Sequence, residues 1–158
     1  MRKVLSTAEM RQVDRLTTET VFIPSVLLME MAANSVVREI TRCAASNLAN
    51  NKISVFCGKG NNGGDGFAIS RILYLLGADV RVFLVFPPDQ ISGDAATQYR
   101  IIRSLSANRS AAGGRLILNE GPSDREIDAA FLSSDFVIDA IFGTGLTRPL
   151  SGLATSAG

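Results

Sequence analysis

The chain has 158 residues, 46% of them hydrophobic, enough for one buried core without disulfide staples. Its 16 basic residues nearly cancel 15 acidic ones, so no field of one sign exists to draw in nucleic acid or an anionic membrane surface. Histidine is absent, which removes the commonest general base, zinc ligand and triad member and leaves acid–base work to Asp, Glu, Lys, Tyr or Cys.

At the N-terminus, Met1 to Ser6 opens basic but is broken by polar residues before a signal peptide or membrane span can form. Cys43 and Cys57 make no disulfide framework and have no metal-ligand spacing around them. The expectation is one soluble, cytoplasmic domain covering residues 1–158. Ser6-Thr7-Ala8-Glu9 reads as a capping box and predicts a helix from about Thr7 to Thr18. Pro24 suits the first turn of a second helix, whose apolar residues Val26, Leu27, Leu28, Met31, Val36, Val37 and Ile40 recur at helical spacing, with an end expected near Asn50.

Ile53 to Cys57 is short, apolar and bounded by glycine, and reads as a buried strand. Phe67 to Leu76 is helical in spacing and stops at Gly77; Asp79 to Phe86 reads as a strand ended by Pro87-Pro88. Ser92 to Leu105 predicts a further helix and Arg115 to Leu118 a strand, separated by an Ala/Ser/Gly-rich surface loop from Ser104 to Gly114. Ser123-Asp124-Arg125-Glu126 is a second capping box, opening a helix to about Leu132, and Phe136 to Phe142 closes the series as a strand. Strands alternating with helices need crossovers. The fold class expected is α/β, a Rossmann-like three-layer α/β/α sandwich with a mostly parallel sheet.

In such a sheet ligands bind beyond the carboxyl ends of the strands, which directs attention to the loops after Cys57 and Phe142. The first, Gly58-Lys59-Gly60-Asn61-Asn62-Gly63-Gly64-Asp65-Gly66, has five glycines in nine residues between a strand and a helix. Glycines there let backbone amides approach phosphate at a helix N-terminus. Gly58, Gly60 and Gly63 spell G-x-G-x-x-G, but the acid that should hold the ribose is missing: the next strand ends in Val85-Phe86-Pro87. No Gly-Lys-Ser or Gly-Lys-Thr follows, which excludes a Walker A loop. The plain structural alternative is a tight turn with Asp65 capping the next helix, which leaves Asn61-Asn62 without a reason.

The second loop runs Asp139-Ala140-Ile141-Phe142-Gly143-Thr144-Gly145-Leu146-Thr147-Arg148-Pro149. Asp139 interrupts an apolar strand, and a carboxylate buried there is costly unless paired, hydrogen-bonded or bound to a cation. The plain alternative is an Asp satisfied by neighbouring backbone amides. Arg148 beside a glycine turn suits phosphate.

Together these two loops resemble the paired signatures of the YjeF N-terminal domain family, which contains the NAD(P)HX epimerases; Ala8-Glu9-Met10-Arg11-Gln12-Val13-Asp14 and Ile23-Pro24-Ser25 with Leu28-Met29-Glu30 resemble the family's opening. The likeness runs from about Ser6 to Gly152. It implies that Asn61, Asn62, Gly63, Gly64 and Asp65 bind hydrated NADH or NADPH, with Gly143, Thr144, Gly145, Leu146, Thr147, Arg148 and Pro149 as the second substrate loop. Asn62 and Asp139 would be ligands of a potassium ion. The implied reaction interconverts the two C6 epimers so that a companion dehydratase, sometimes fused to the same chain, can clear both. Asp65 is the first candidate for the acid–base role and Asp139 the second. A homodimer contact would fall on the long helix from Pro24.

Two departures stand out. Met31-Ala32-Ala33 follows Glu30 where the family usually has Asn and then Ala-Gly. The family also continues into a strand bearing Asp-x-Pro-Ser-Gly, with a substrate-binding Asp and a potassium-binding Ser, and nothing after Gly152 supplies it. The chain is therefore expected to lack the family's C-terminal strand and helix. Two rival functions remain: a non-catalytic YjeF-type binding or scaffold module, and a conventional NAD-dependent oxidoreductase, disfavoured by the missing ribose acid.

Overall fold

The computed structural model describes residues 4–45, 47–49, 51–108 and 114–144. Its elements are α1 (Thr7–Glu19), α2 (Ser25–Cys43), β1 (Lys52–Cys57), α3 (Asn61–Leu75), β2 (Asp79–Leu84), α4 (Gly93–Ala107), β3 (Arg115–Glu120), α5 (Asp124–Ser133) and β4 (Phe136–Ala140). A 3-10 turn at Pro88–Gln90 follows β2. The four strands are all parallel, in the order β3-β2-β1-β4. The chain thus enters the sheet at β1, moves out to β3, then crosses back to add β4 on β1's other side. That reversal opens a crevice between the carboxyl ends of β1 and β4.

Burial explains the layering. Ile53, Val55 and Cys57 of β1 and Val80, Val82 and Leu84 of β2 face Ala33 and Val37 of α2, Phe67 and Leu73 of α3, and Ala95 and Ile102 of α4. On the opposite face Phe56, Phe83, Val85 and Ile141 meet Ile127 and Ala130 of α5. Phe56 stacks between Phe83 and Phe131, with ring centroids 4.9 and 5.0 Å away. With both faces covered, β1 is buried from Ile53 to Cys57, and each large side chain so enclosed contributes about 2 kcal/mol. Ser54, the polar residue in that run, shares a hydroxyl–hydroxyl bond of 2.7 Å with Ser134.

Both expected capping boxes form: the Ser6 amide donates to Glu9 at 2.7 Å, and the Ser123 amide to Glu126 at 2.9 Å. Other boundaries differ from expectation. α2 stops at Cys43 rather than near Asn50, because Ala45 takes a left-handed φ of 51° and Asn47 turns its side chain to the Ala49 amide. β2 ends at Leu84, before the Pro-Pro pair, and β4 at Ala140. The largest difference is at α3, which starts at Asn61 and takes in Asn61 to Gly66, expected as loop. Three glycines make this a poor helix by propensity. Close packing compensates: a Cβ on Gly63 would lie 1.9 Å from the Gly58 carbonyl oxygen, and one on Gly58 would lie 2.0 Å from that of Ile141. Among the described residues no helix is long and apolar enough to cross a membrane.

Candidate active site

The β1–α3 turn is built first, by the packing just described. Gly60 is the N-cap of α3 and offers no side chain; its carbonyl accepts from the Gly64 amide at 3.0 Å. The amides of Asn61, Asn62 and Gly63 precede that first intrahelical bond, so this helix end offers donors and the positive end of its dipole. They open on a cavity of about 600 Å³ whose walls include Lys59, Asn61, Asn62 and Asp65 on one side, Phe86, Phe142, Gly143 and Thr144 on another, and Arg11 and Asp14 of α1 opposite.

Two cations border this space. Lys59 Nζ donates to Gln90 Oε1 at 2.9 Å and sits 5.3 Å from the Phe86 ring centroid. Arg11 Nη2 donates to the Thr144 carbonyl at 2.7 Å and more weakly to its hydroxyl at 3.3 Å. That contact ties α1 to the loop after β4. An anion entering here would meet two positive side chains and a helix N-terminus.

Asp65 is not a cap, contrary to the plain alternative: it lies one turn inside α3, half-buried, and looks into the cavity. Burial first, and the negative charge of Asp14 second, push its carboxyl up to about 6. A second cavity of about 370 Å³, between α1 and α2, is lined by Asp14, Asn61 and Asp65 again together with Met10, Leu28 and Asp94. The two carboxylates therefore stand where two cavities meet. A carboxyl that titrates near neutrality in a cleft is chemically fit to give and take a proton.

Asp139 behaves otherwise. Phe136, Ile138 and Ala140 turn toward the core while Asp139 is exposed with Val137, so no burial cost arises there and that part of the sequence argument fails. Its Oδ1 accepts from the Ile141 amide at 2.9 Å, and it does not line the cavity that Asn62 lines. Gly143 lies against Asn62: a Cβ on it would be 3.4 Å from Asn62 Cβ. Gly63 and Gly64 are buried; Gly64 packs on Met29 and Ala95. Asn61, Asn62, Asp65, Gly143 and Thr144 are thus gathered at one cavity, while Gly145, Leu146, Thr147, Arg148 and Pro149 lie outside the described residues. Among the described residues no group of three or more His, Cys, Asp or Glu could hold a metal ion.

Sequence reasoning assigned no role to Arg11, Asp14, Lys59 or Phe86. Arg11, Asp14 and Thr18 do recur at helical spacing along α1, a polar stripe that could have marked a site-facing side, but helices usually show such stripes to solvent.

Comparison with known proteins shows the family to which the chain belongs. A family model described as YjeF-related protein N-terminus matches residues 25–157. The chain is 44% identical over 151 residues to a bifunctional NAD(P)H-hydrate repair enzyme of Moorella thermoacetica, covering 95% of this chain and 27% of that protein. It is 33% identical over 156 residues to an NAD(P)H-hydrate epimerase of Roseobacter litoralis, covering 97% of this chain and 69% of that one. The crystal structure of yeast YNL200c superposes with a TM-score of 0.72 at 23% identity, over 95% of this chain and 60% of the yeast chain, which bears on the fold alone. The chain thus spans less than a third of the length of the bifunctional relatives from Moorella thermoacetica and Salinibacter ruber.

Proposed function

This chain belongs to the YjeF-related protein N-terminus family, and from that premise we propose that it is an isomerase of nicotinamide cofactor repair, interconverting the R and S C6 epimers of hydrated NADH or NADPH. The observation that carries the reading is Asp65, a half-buried carboxyl raised to about 6 by burial and by Asp14, facing a cavity that also offers an anion cradle. A scaffold has no use for such a group. An oxidoreductase would need a hydride acceptor, whereas epimerisation needs only a proton carrier and water.

The chemistry follows from that carboxyl. The helix amides at Asn61 to Gly63, with Lys59 and Arg11, hold the pyrophosphate and so fix the hydrated ring relative to Asp65. Protonated Asp65 gives its proton to the C6 hydroxyl, which leaves as water while the ring nitrogen's lone pair stabilises the cation. Water then adds to either face of C6 and returns a proton to the Asp65 carboxylate. The C6–O bonding pair departs with the leaving water and the incoming water supplies its replacement, so there is no net oxidation or reduction. A pKa near the working pH lets the same group serve in both directions. Burial, helped by the charge of Asp14, favours the protonated form of Asp65 that the first step needs. These features favour Asp65 over Asp139 as the acid–base group.

Asn62 and Asp139 are the residues that the resemblance proposes for potassium: both present oxygen donors, but Asp139 is exposed and does not line the cavity that Asn62 lines, so no step is assigned to the ion. When bound, such an ion would supply a fixed positive charge to the site. A dehydratase acting on one epimer is the functional partner that this activity requires; the bifunctional repair enzymes among the relatives support that pairing.

The test is to supply a single hydrated epimer and follow the epimer ratio by chromatography. Wild type should equilibrate the two without a second substrate, and Asp65→Asn should slow this by on the order of 100-fold or more. Equal rates in both would remove Asp65 from the mechanism, and no equilibration by wild type would remove the activity.

A further inference from the structure

A dinucleotide fold places the acid that holds the adenosine ribose at the end of β2, and this chain has none there. The neighbouring strand supplies one. Leu84, which ends β2, is in register with Glu120, which ends β3. Beyond these two ends opens a cavity of about 260 Å³ lined by Val85, Phe86, Pro87, Pro88, Glu120 and Gly121. Its walls are apolar except at Glu120, and its size suits a flat ring system rather than a whole cofactor. Tyr99, buried on α4, donates its hydroxyl to Glu120 Oε1 and so fixes the carboxylate. Burial, and then the bond to Glu120, raise that hydroxyl to about 12, so it remains a donor at neutral pH.

Phe86 connects this slot to the candidate site. Its ring lines both cavities, carries the Lys59 ammonium on one face and meets Phe142 edge-on at 5.9 Å. A molecule with its pyrophosphate at the α3 N-terminus can therefore extend past Lys59 and Phe86 over the ends of β2 and β3, the direction in which the strand order leads an adenosine.

We propose that this slot is the adenosine subsite, with the base against Phe86 and the Pro87-Pro88 pair and Glu120 accepting a hydrogen bond from the ribose 2′-hydroxyl. It rests on the reading of the chain as a nicotinamide-dinucleotide enzyme, and it deepens that reading by assigning selectivity. A 2′-phosphate would bring two negative charges against Glu120 and leave the ribose hydroxyl bond unmade. Arg103, the cation beside Tyr99 on α4, does not line the slot. Hydrated NADH is accordingly the preferred substrate over hydrated NADPH.

Calorimetric titration of the chain with 5′-AMP and with adenosine 2′,5′-bisphosphate tests this without any turnover. Wild type should bind 5′-AMP about tenfold or more tightly than the bisphosphate. Glu120→Gln, at an exposed position, should reduce the difference to within about threefold, and Phe86→Ala should weaken both ligands alike. Tyr99→Phe releases the carboxylate but keeps its charge; discrimination should survive while 5′-AMP binding falls a few-fold, roughly the loss of one hydrogen bond. Equal affinity of wild type for the two nucleotides, binding of neither, or a preference unmoved by Glu120→Gln would each overturn the proposal. Epimerisation that persists beside indifferent adenylate binding sinks the subsite alone. Adenylate discrimination without epimerisation sinks the activity and leaves the subsite.

Discussion

One wall of the main cavity, the turn from β1 into α3, is held by backbone against backbone, whereas the facing wall, α1, buries no side chain and reaches the site through Arg11 and Asp14. The turn is therefore part of the core. Its Gly58 and Gly63 contacts place the amides at the start of α3 with the rigidity of the sheet itself. α1 carries Met10, Val13 and Leu16 about half exposed, and its effect on Asp65 is electrostatic, acting through the charge of Asp14. Position is thus set by the turn, and proton affinity by burial first with the charge on α1 adding to it, and substitutions should separate these contributions.

The sharpest break is Gly63→Ala. With the Gly58 oxygen 1.9 Å from the new Cβ, the turn must shift, at a cost on the order of 3 kcal/mol. Thermal unfolding should fall by roughly 6–12 °C, against a change within about 0.5 kcal/mol for Val13→Ala on α1. Equal losses at the two positions would erase the contrast.

Asp65→Asn should move stability the other way. The folded chain holds the Asp65 proton up to about 6, whereas the unfolded chain releases it near 3.8, so stability falls as pH rises through that window and stays lowered above it. Removing the carboxyl should therefore stabilise the fold at pH 7 by about 1 kcal/mol, well below the full linkage value because the side chain is only half-buried. The gain should vanish below the unfolded-state value. Melting curves of both proteins across the acid range check the sign, and a mutant that gains at low pH rather than at neutral pH would contradict it.

A smaller effect is expected at Asp14→Asn, since burial outranks Asp14 among the causes of the shift. The Asp65 limb of the pH–rate profile should move toward acid by a fraction of a unit, with at most a small gain in stability at neutral pH. A profile that stays in place would show that α1 does not tune the site. Least of all, Arg11→Ala removes the 2.7 Å bond to Thr144 and should raise KM a few-fold with kcat kept, the pattern of lost uniform binding. A fall in kcat alone would instead place Arg11 in the chemistry.

The same division explains what could be read from the sequence. Capping boxes at Ser6 and Ser123 and the apolar run at β1 are local signals, and their elements formed where expected. Asn61 to Gly66 gave a local signal for loop, because glycine's cost to a helix is visible in sequence whereas the close approach of Gly58 and Gly63 that offsets it is not. Asp139 misled for a related reason: β4 looks uniformly apolar, but its Val137 and Asp139 side is open, so a carboxylate there costs little. Asn61, Asn62 and Asp65, which line one cavity, were legible as candidate site residues because two amides and a carboxylate have no use in a plain turn. Asp14 and Glu120 were not, since each acquires meaning only when the fold brings a distant strand end or helix beside it.

In the proposed reaction this site moves a hydroxyl at C6 by losing and regaining water. Each pure epimer, incubated with the chain in 18O-labelled water, should converge on one common ratio from either side. Label should enter the C6 hydroxyl at least as fast as the ratio changes, and reduced nicotinamide absorbance should not grow. Convergence without label would contradict the mechanism, and two epimers that keep their separate identities in the presence of the chain would contradict the function.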